Sequence, residues 1–241
     1  MRLASIWRHP VKAIGRERLT ETRTTEGAAL PGDRLWAVTH DRTRDHGPGW
    51  AKKANFLRGV SGPQLMAITA ESQEASVTLR HPEAGEITVD PDRDAEHLIA
   101  WLDPLWPEDQ PRPNGVARCE TGFTDVPDPW VSVHSTASHR AVEQKLAQPL
   151  SIHRWRGNLW LDGLDLWEEF DLVGKRFRIG DVVLEGRAPI TRCKATMANP
   201  ETGHRDADTL GALNAFGHQE FGLYAEIIEG GTLTEGAEVR L

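Results

Sequence analysis

Apolar residues along this chain fall mostly in short runs separated by turn residues, and few stretches carry the spacing of an amphipathic helix. Leu3-Ala4-Ser5-Ile6-Trp7 is one such run, ended by Pro10. Arg34-Leu35-Trp36-Ala37-Val38-Thr39 is another, entered through the turn residues Pro31-Gly32-Asp33. Both predict strands. Val77-Thr78-Leu79 and Ile87-Thr88-Val89 flank a Pro/Gly turn and predict a hairpin. Ala95 to Leu102 departs from this pattern: Leu98, Ile99 and Leu102 recur at helical spacing and predict a short helix that turns them toward the core.

The second half reads the same way. Val131-Ser132-Val133 predicts a strand, and Ser135 is an N-cap candidate for a helix from about Thr136 to Ala147 that buries Val142 and Leu146. Leu159-Trp160-Leu161 predicts a strand. Arg176–Ile179 and Val182–Glu185 straddle Gly180-Asp181, a hairpin signal. Tyr224–Ile228 and Leu233-Thr234 straddle Gly230-Gly231 and predict another hairpin. Many short strands with few helices argue a mainly β fold, a β-barrel with peripheral α-helices. Four prolines between Asp103 and Asn114 exclude a regular helix or a central strand there. That stretch divides the chain into 1–102, an N-terminal β segment packing onto the barrel, and 115–241, the barrel itself.

Composition narrows the function classes. Hydrophobic residues make up 39% of the 241, enough for a core. No window approaches the ~20 apolar residues of a membrane span, so no membrane association is expected. The first residues lack a secretory h-region, and two cysteines cannot build a disulfide scaffold; both features fit a cytoplasmic protein. With 28 Lys and Arg against 36 Asp and Glu, the net charge of -8 argues against a nucleic-acid partner. Of the 28 basic residues 22 are Arg, whose planar fork suits phosphate.

The chemistry concentrates at Cys193, between Arg192 and Lys194. Positive potential on both sides favours the thiolate, the form that attacks or binds metal. Cys119, between Arg118 and Glu120, shares half of that pattern and reads as a packing cysteine. No CxxC, HxxxH or HExxH is present for zinc, and no GxxxxGK[ST], GxSxG or GxGxxG for nucleotide or ester chemistry.

Four stretches together resemble the MOSC family, the domains named for the C-terminus of molybdenum cofactor sulfurase. They are His9-Pro10-Val11-Lys12, Gly32-Asp33-Arg34-Leu35-Trp36, Arg154-Trp155-Arg156-Gly157-Asn158, and Thr191-Arg192-Cys193-x-x-Thr196 with Asn199-Pro200-Glu201-Thr202-Gly203. The chain departs from the family's pattern with His9 for Tyr, Ala13 for Ser, Gly157 for Pro and Asn199 for Asp. Gly157 in place of Pro is expected to loosen the segment from Arg156 to Asn158.

The resemblance implies a molybdenum-cofactor (Mo-molybdopterin) oxidoreductase that reduces N-hydroxylated or N-oxide small molecules, with Cys193 as both the catalytic residue and the protein ligand to molybdenum. Cofactor-binding residues follow from the same alignment: Lys12, Arg34 and Arg156 for the phosphate, Asn158 and Thr191 for the pterin, Arg192 beside the thiolate. Ser135, opening a predicted helix, is a further anion-site candidate. Electrons are expected from a separate flavin- or ferredoxin-type donor protein, since two cysteines cannot form an iron–sulfur relay. The alternative is a non-redox module that carries the cofactor, or sulfur as a persulfide on Cys193.

Overall fold

The computed structural model describes residues 1–44, 47 and 49–241. The first half of the chain forms β1 (Arg2–Arg8), β2 (Glu17–Leu19), β3 (Glu21–Thr24), β4 (Trp36–His40), β5 (Thr69–Ser72), β6 (Val77–His81), β7 (Gly85–Val89), α1 (Ala95–Leu102) and β8 (Pro113–Arg118). The second half forms β9 (Val131–Ser135), α2 (Thr136–Leu146), β10 (Leu159–Asp162), β11 (Arg176–Ile179), β12 (Val182–Thr191), α3 (Thr209–Asn214), β13 (Glu220–Glu229), β14 (Gly231–Thr234) and β15 (Val239–Arg240). The fold is mainly β, with few helices.

Eight strands make one sheet in the order β15-β11-β12-β13-β9-β10-β1-β2. The sheet curls until β1 meets its far edge. Leu3 N donates to Ala237 O at 2.9 Å, and Val239 N to Met1 O at 3.0 Å. That closure removes most of the unpaired edge and leaves a barrel. Its interior is the largest apolar cluster, with Leu3, Ile6, Val133, Leu161, Phe177, Leu184 and Leu223 all buried. β9 and β10 are parallel, and α2 makes the crossover between them.

The two halves of the sequence are interleaved. β1 and β2 belong to the barrel sheet itself. β8, just past the proline-rich stretch, pairs with β4 in a separate two-stranded sheet, and its first residue is the last of those prolines. A second core, around Val38, Leu57, Leu65, Leu79, Leu98 and Trp106, holds this smaller body together.

Most expected elements form. α1 buries Leu98 and Leu102, and Ser135 caps α2, its Oγ accepting from Ala137 N and Ser138 N. Val142 is buried, while Leu146 is only half-buried. The hairpin expected across Gly230-Gly231 does not form. β13 is paired on both sides, with β12 and β9, so β14 swings away to pair with β3. Gly230 permits that path, since a Cβ there would lie 2.6 Å from Thr24 O.

One buried carboxyl makes stability depend on pH. Glu169 is fully buried, with Oε2 accepting from Ser138 Oγ at 2.7 Å and Oε1 without a partner. Burial pushes its carboxyl up to about 7. The folded state therefore holds its proton to higher pH than the unfolded chain does. This stabilisation is full at acid pH and is lost as pH rises through about 7. Glu169→Gln is expected to stabilise the fold by roughly 2 kcal/mol at pH 8 and to be near neutral at pH 5. Identical melting curves for wild type and variant at both pH values would refute this.

Candidate functional site

A cavity of about 330 Å³ opens between the barrel and the smaller body. Each wall carries sequence motifs. Lys12 follows β1, Arg34 precedes β4, Arg156 and Asn158 precede β10, and Thr191, Arg192 and Cys193 end β12; all seven line the cavity. Ser135 does not join them. It is fully buried, and its hydroxyl is occupied by the first turn of α2, so its role is to cap the helix.

Cys193 lies where β12 leaves the sheet, just before a 3-10 turn over Lys194–Met197. Its carbonyl accepts from Thr196 N and Oγ1, both at 3.1 Å, which fixes the backbone and leaves the thiol exposed. The loop beyond is clamped by arginines. Arg154 donates to Met197 O at 3.0 Å and pairs with Asp206, while Arg16 reaches Pro200 O at 3.0 Å. Asn199 Nδ2 donates to Asp206 at 2.7 Å, a bond that the family's Asp could not make.

The expected roles separate on inspection. The Arg192 fork is taken up by the backbone: it donates to Trp155 O and Phe221 O, tying β12 to β13 and to the turn before Arg156, with Cys193 still within its electrostatic reach. Asn158 accepts from Ser132 N and Oγ and donates to Trp7 O, so its amide is fully used in joining β1, β9 and β10. Thr191 Oγ1 donates to Glu220. Lys12 Nζ donates to Phe123 O at 2.8 Å and to Asp125 at 2.6 Å; burial lowers the lysine's pKa, against the pull of Asp125. Arg34 pairs with Asp33 and donates to Arg156 O at 3.1 Å.

Arg156 is different. Its Nη2 is buried with no partner. Burial, then the nearby charge of Arg34, push its guanidinium down to about 9. Its backbone is in the left-handed region, with φ +48°. Ala13 and Arg34 share that conformation, at φ +64° and +53°, and line the same cavity. Non-glycine residues there are strained by about 1 kcal/mol or more, and such strain gathers at functional sites.

Trp155, which lines the cavity, belongs to a buried aromatic stack. Trp155 lies on Phe221 at 3.8 Å between ring centroids, and His134 stacks against Phe221 and Trp160. Gly157 and Gly222 close on the His134 ring. A Cβ on Gly157 would meet Cδ2 at 2.1 Å, and one on Gly222 would meet Nδ1 at 2.2 Å. Gly157 therefore stands in place of the family's Pro because the imidazole occupies the side chain's space. The segment is held by close packing and is not loosened. Burial keeps His134 neutral, with its pKa well below the usual histidine value.

Seven cationic side chains line the cavity against one described carboxylate, Asp125, in a chain of net charge -8. Several of its lining residues carried no motif role in the sequence, among them Lys53, Arg58, Trp130 and Tyr224, the only tyrosine. Lys53 and Arg58 sit in a segment without periodicity, and nothing local marks them. Arg154 stood inside a quoted motif without an assigned role.

Residues 1–102 match the family model of the MOSC N-terminal beta barrel domain, and residues 121–240 match that of the MOSC domain. The chain belongs to the MOSC family. Among solved structures, this MOSC chain is similar to YiiM from Geobacillus stearothermophilus, at 18% identity and a TM-score of 0.37, over 46% of this chain and 53% of that one. The match thus spans about half the length of YiiM. It is also similar to the YUAD protein from Bacillus subtilis, at 10% identity and a TM-score of 0.48, over 99% and 93% of the two chains. No curated protein matches the MOSC chain significantly. Among the described residues no helix is long and apolar enough to cross a membrane.

The MOSC domain is associated in general with molybdenum cofactor. Its residues here fit such a group. Among the described residues no three His, Cys, Asp or Glu side chains converge on a metal, so a metal held by Cys193 must bring its other ligands with it. The partnerless buried Nη2 of Arg156 is the donor that an anionic phosphate would satisfy.

Proposed function

We propose that this MOSC protein binds the molybdenum cofactor in the cationic cavity and reduces N-hydroxylated or N-oxide small molecules with electrons from a separate donor protein. One observation carries the reading: an exposed thiol and a buried guanidinium with a free donor share one strongly cationic cavity. Cys193 would supply the thiolate to molybdenum, and Arg156 with Arg34 would hold the phosphate. Lys12 would hold the segment from Phe123 to Asp125 against that charge. When bound, the cofactor supplies oxygen-atom transfer coupled to two electrons. The chain's own residues bind and orient. Arg192 and Asn158 keep the walls in register, while Trp130 and Tyr224 would give aromatic surface for a substrate.

The exposure of Cys193 also favours the second reading, a carrier of cofactor or of persulfide sulfur, because a partner protein can reach the thiol. Molybdenum and pterin content per chain tests what the two share, since protein from a host that makes the cofactor should hold about one of each. Absence of both overturns the cofactor reading. Reductant choice then separates reductase from carrier. NADH alone should give no reduction of an amidoxime, while a dithionite-reduced dye or a flavin- or ferredoxin-linked donor should start turnover. Full loading without turnover under any reductant would put the carrier first. A cytoplasmic location belongs to the same proposal.

A further inference from the structure

A second cleft, of about 760 Å³, lies beside the cysteine cavity, and Arg58 lines both. Arg42, Arg44 and Lys52 line it too, and no carboxylate does among the described residues. Among the described residues none of these four side chains has an ion pair or a hydrogen-bond partner. Several other surface arginines are neutralised by carboxylates: Arg2 and Arg140 by Asp162, Arg18 by Glu235, Arg118 by Asp92 and Glu120. Four cations left bare in one concavity repel one another and raise the local concentration of anions.

The walls add a shape. Trp50 Nε1 donates to Thr124 O at 3.0 Å, and Trp106 Nε1 to Pro111 O at 3.0 Å, so both indoles are fixed in place. Rigid aromatic walls with a few convergent charges, in a volume between about 300 and 1,000 Å³, describe a small-molecule site. Guanidinium forks donate to a carboxylate or a phosphate equally well.

We propose that this cleft is a subsite for the anionic end of the substrate, an aromatic or heteroaromatic compound bearing a carboxylate or phosphate. That group sits among Arg42, Arg44 and Lys52, and Arg58 stands where the cleft meets the Cys193 cavity. Only the identity of the reacting end rests on the function proposed above.

The test has two arms. In the first, benzene-1,3,5-tricarboxylate and phenyl phosphate are titrated calorimetrically into the full chain purified without cofactor. Wild type should bind. The double variant Arg42→Glu/Lys52→Glu should lose roughly tenfold or more in affinity with an unchanged melting temperature, because both side chains are exposed. Arg156→Gln should bind as wild type. The stronger probe tells carboxylate from phosphate. Failure of wild type to bind either probe overturns the proposal, and so does binding lost only in Arg156→Gln.

In the second arm, molybdenum-loaded protein is compared on an aryl amidoxime and its ring-carboxylated analogue. The double variant should raise KM for the charged substrate alone, by roughly tenfold, with kcat unchanged. Equal KM values for the two substrates in wild type overturn the assignment to substrate. If neither amidoxime is turned over, the functional reading fails, while the first arm still decides the cleft.

Discussion

Replacing Cys193 by Ser is expected to abolish molybdenum-dependent turnover while the barrel stays folded. The thiol is exposed and has no side-chain hydrogen bond, so the fold loses nothing that it holds. Surface changes of this kind shift stability by about 0.5 kcal/mol or less. The chemical loss is of another order. A serine hydroxyl stays protonated at neutral pH and is a hard oxygen donor, where molybdenum would need a soft thiolate. Turnover per bound molybdenum is the measure, and a variant that keeps the wild-type value removes Cys193 from the mechanism. Cys119→Ser is the control. Cys119 is buried beside Phe56 and Phe123, with Sγ 3.2 Å from Thr121 Oγ1. Its replacement should cost about 1 kcal/mol of stability and leave turnover per molybdenum unchanged.

The second large effect is expected at Arg156. Arg156→Gln should lower cofactor occupancy by roughly 10- to 100-fold under limiting cofactor, since a charged hydrogen bond is worth about 1.5–3 kcal/mol. The empty protein should not lose stability and should melt at the same temperature or higher. Burial and the charge of Arg34 disfavour the guanidinium in the fold, and its Nη2 binds nothing there. Arg34→Ala gives the contrast. Arg34 pairs with Asp33, whose carboxylate accepts from His9 N at 2.8 Å, and it also holds Arg156 O. It should therefore lower occupancy and melting temperature together. Pterin per chain and differential scanning fluorimetry separate the two patterns. Unchanged occupancy in Arg156→Gln would dissolve the assigned phosphate site.

Much of the fold was legible because its signals are local. Short apolar runs bounded by turn residues gave β1, β4, β6 and β7; Gly180-Asp181 gave the turn between β11 and β12; Ser135 gave the start of α2. These features depend on neighbours in sequence, and backbone preferences act at that range. Seven of the eight residues assigned to the site came together because motif residues at strand ends meet when strands pair.

Tertiary structure decided what each of them does. Arg192, beside Cys193 in sequence, has its fork claimed by the carbonyls of Phe221 on β13 and of Trp155 in the turn before Arg156. Gly157 became a contact surface for His134, a residue twenty-three positions earlier, through the parallel pairing of β9 with β10. β14 left its neighbour in sequence and paired with β3, a strand more than 200 residues earlier. Lys53 and Arg58 entered the cavity from a stretch that carries no period or motif. The sequence by itself determined most of the strands and turns and marked Cys193 as the candidate thiol, all read from covalent neighbours. Which donors remain free to bind a ligand was decided only in three dimensions, since a hydrogen-bonding group is free only if no distant partner reaches it first.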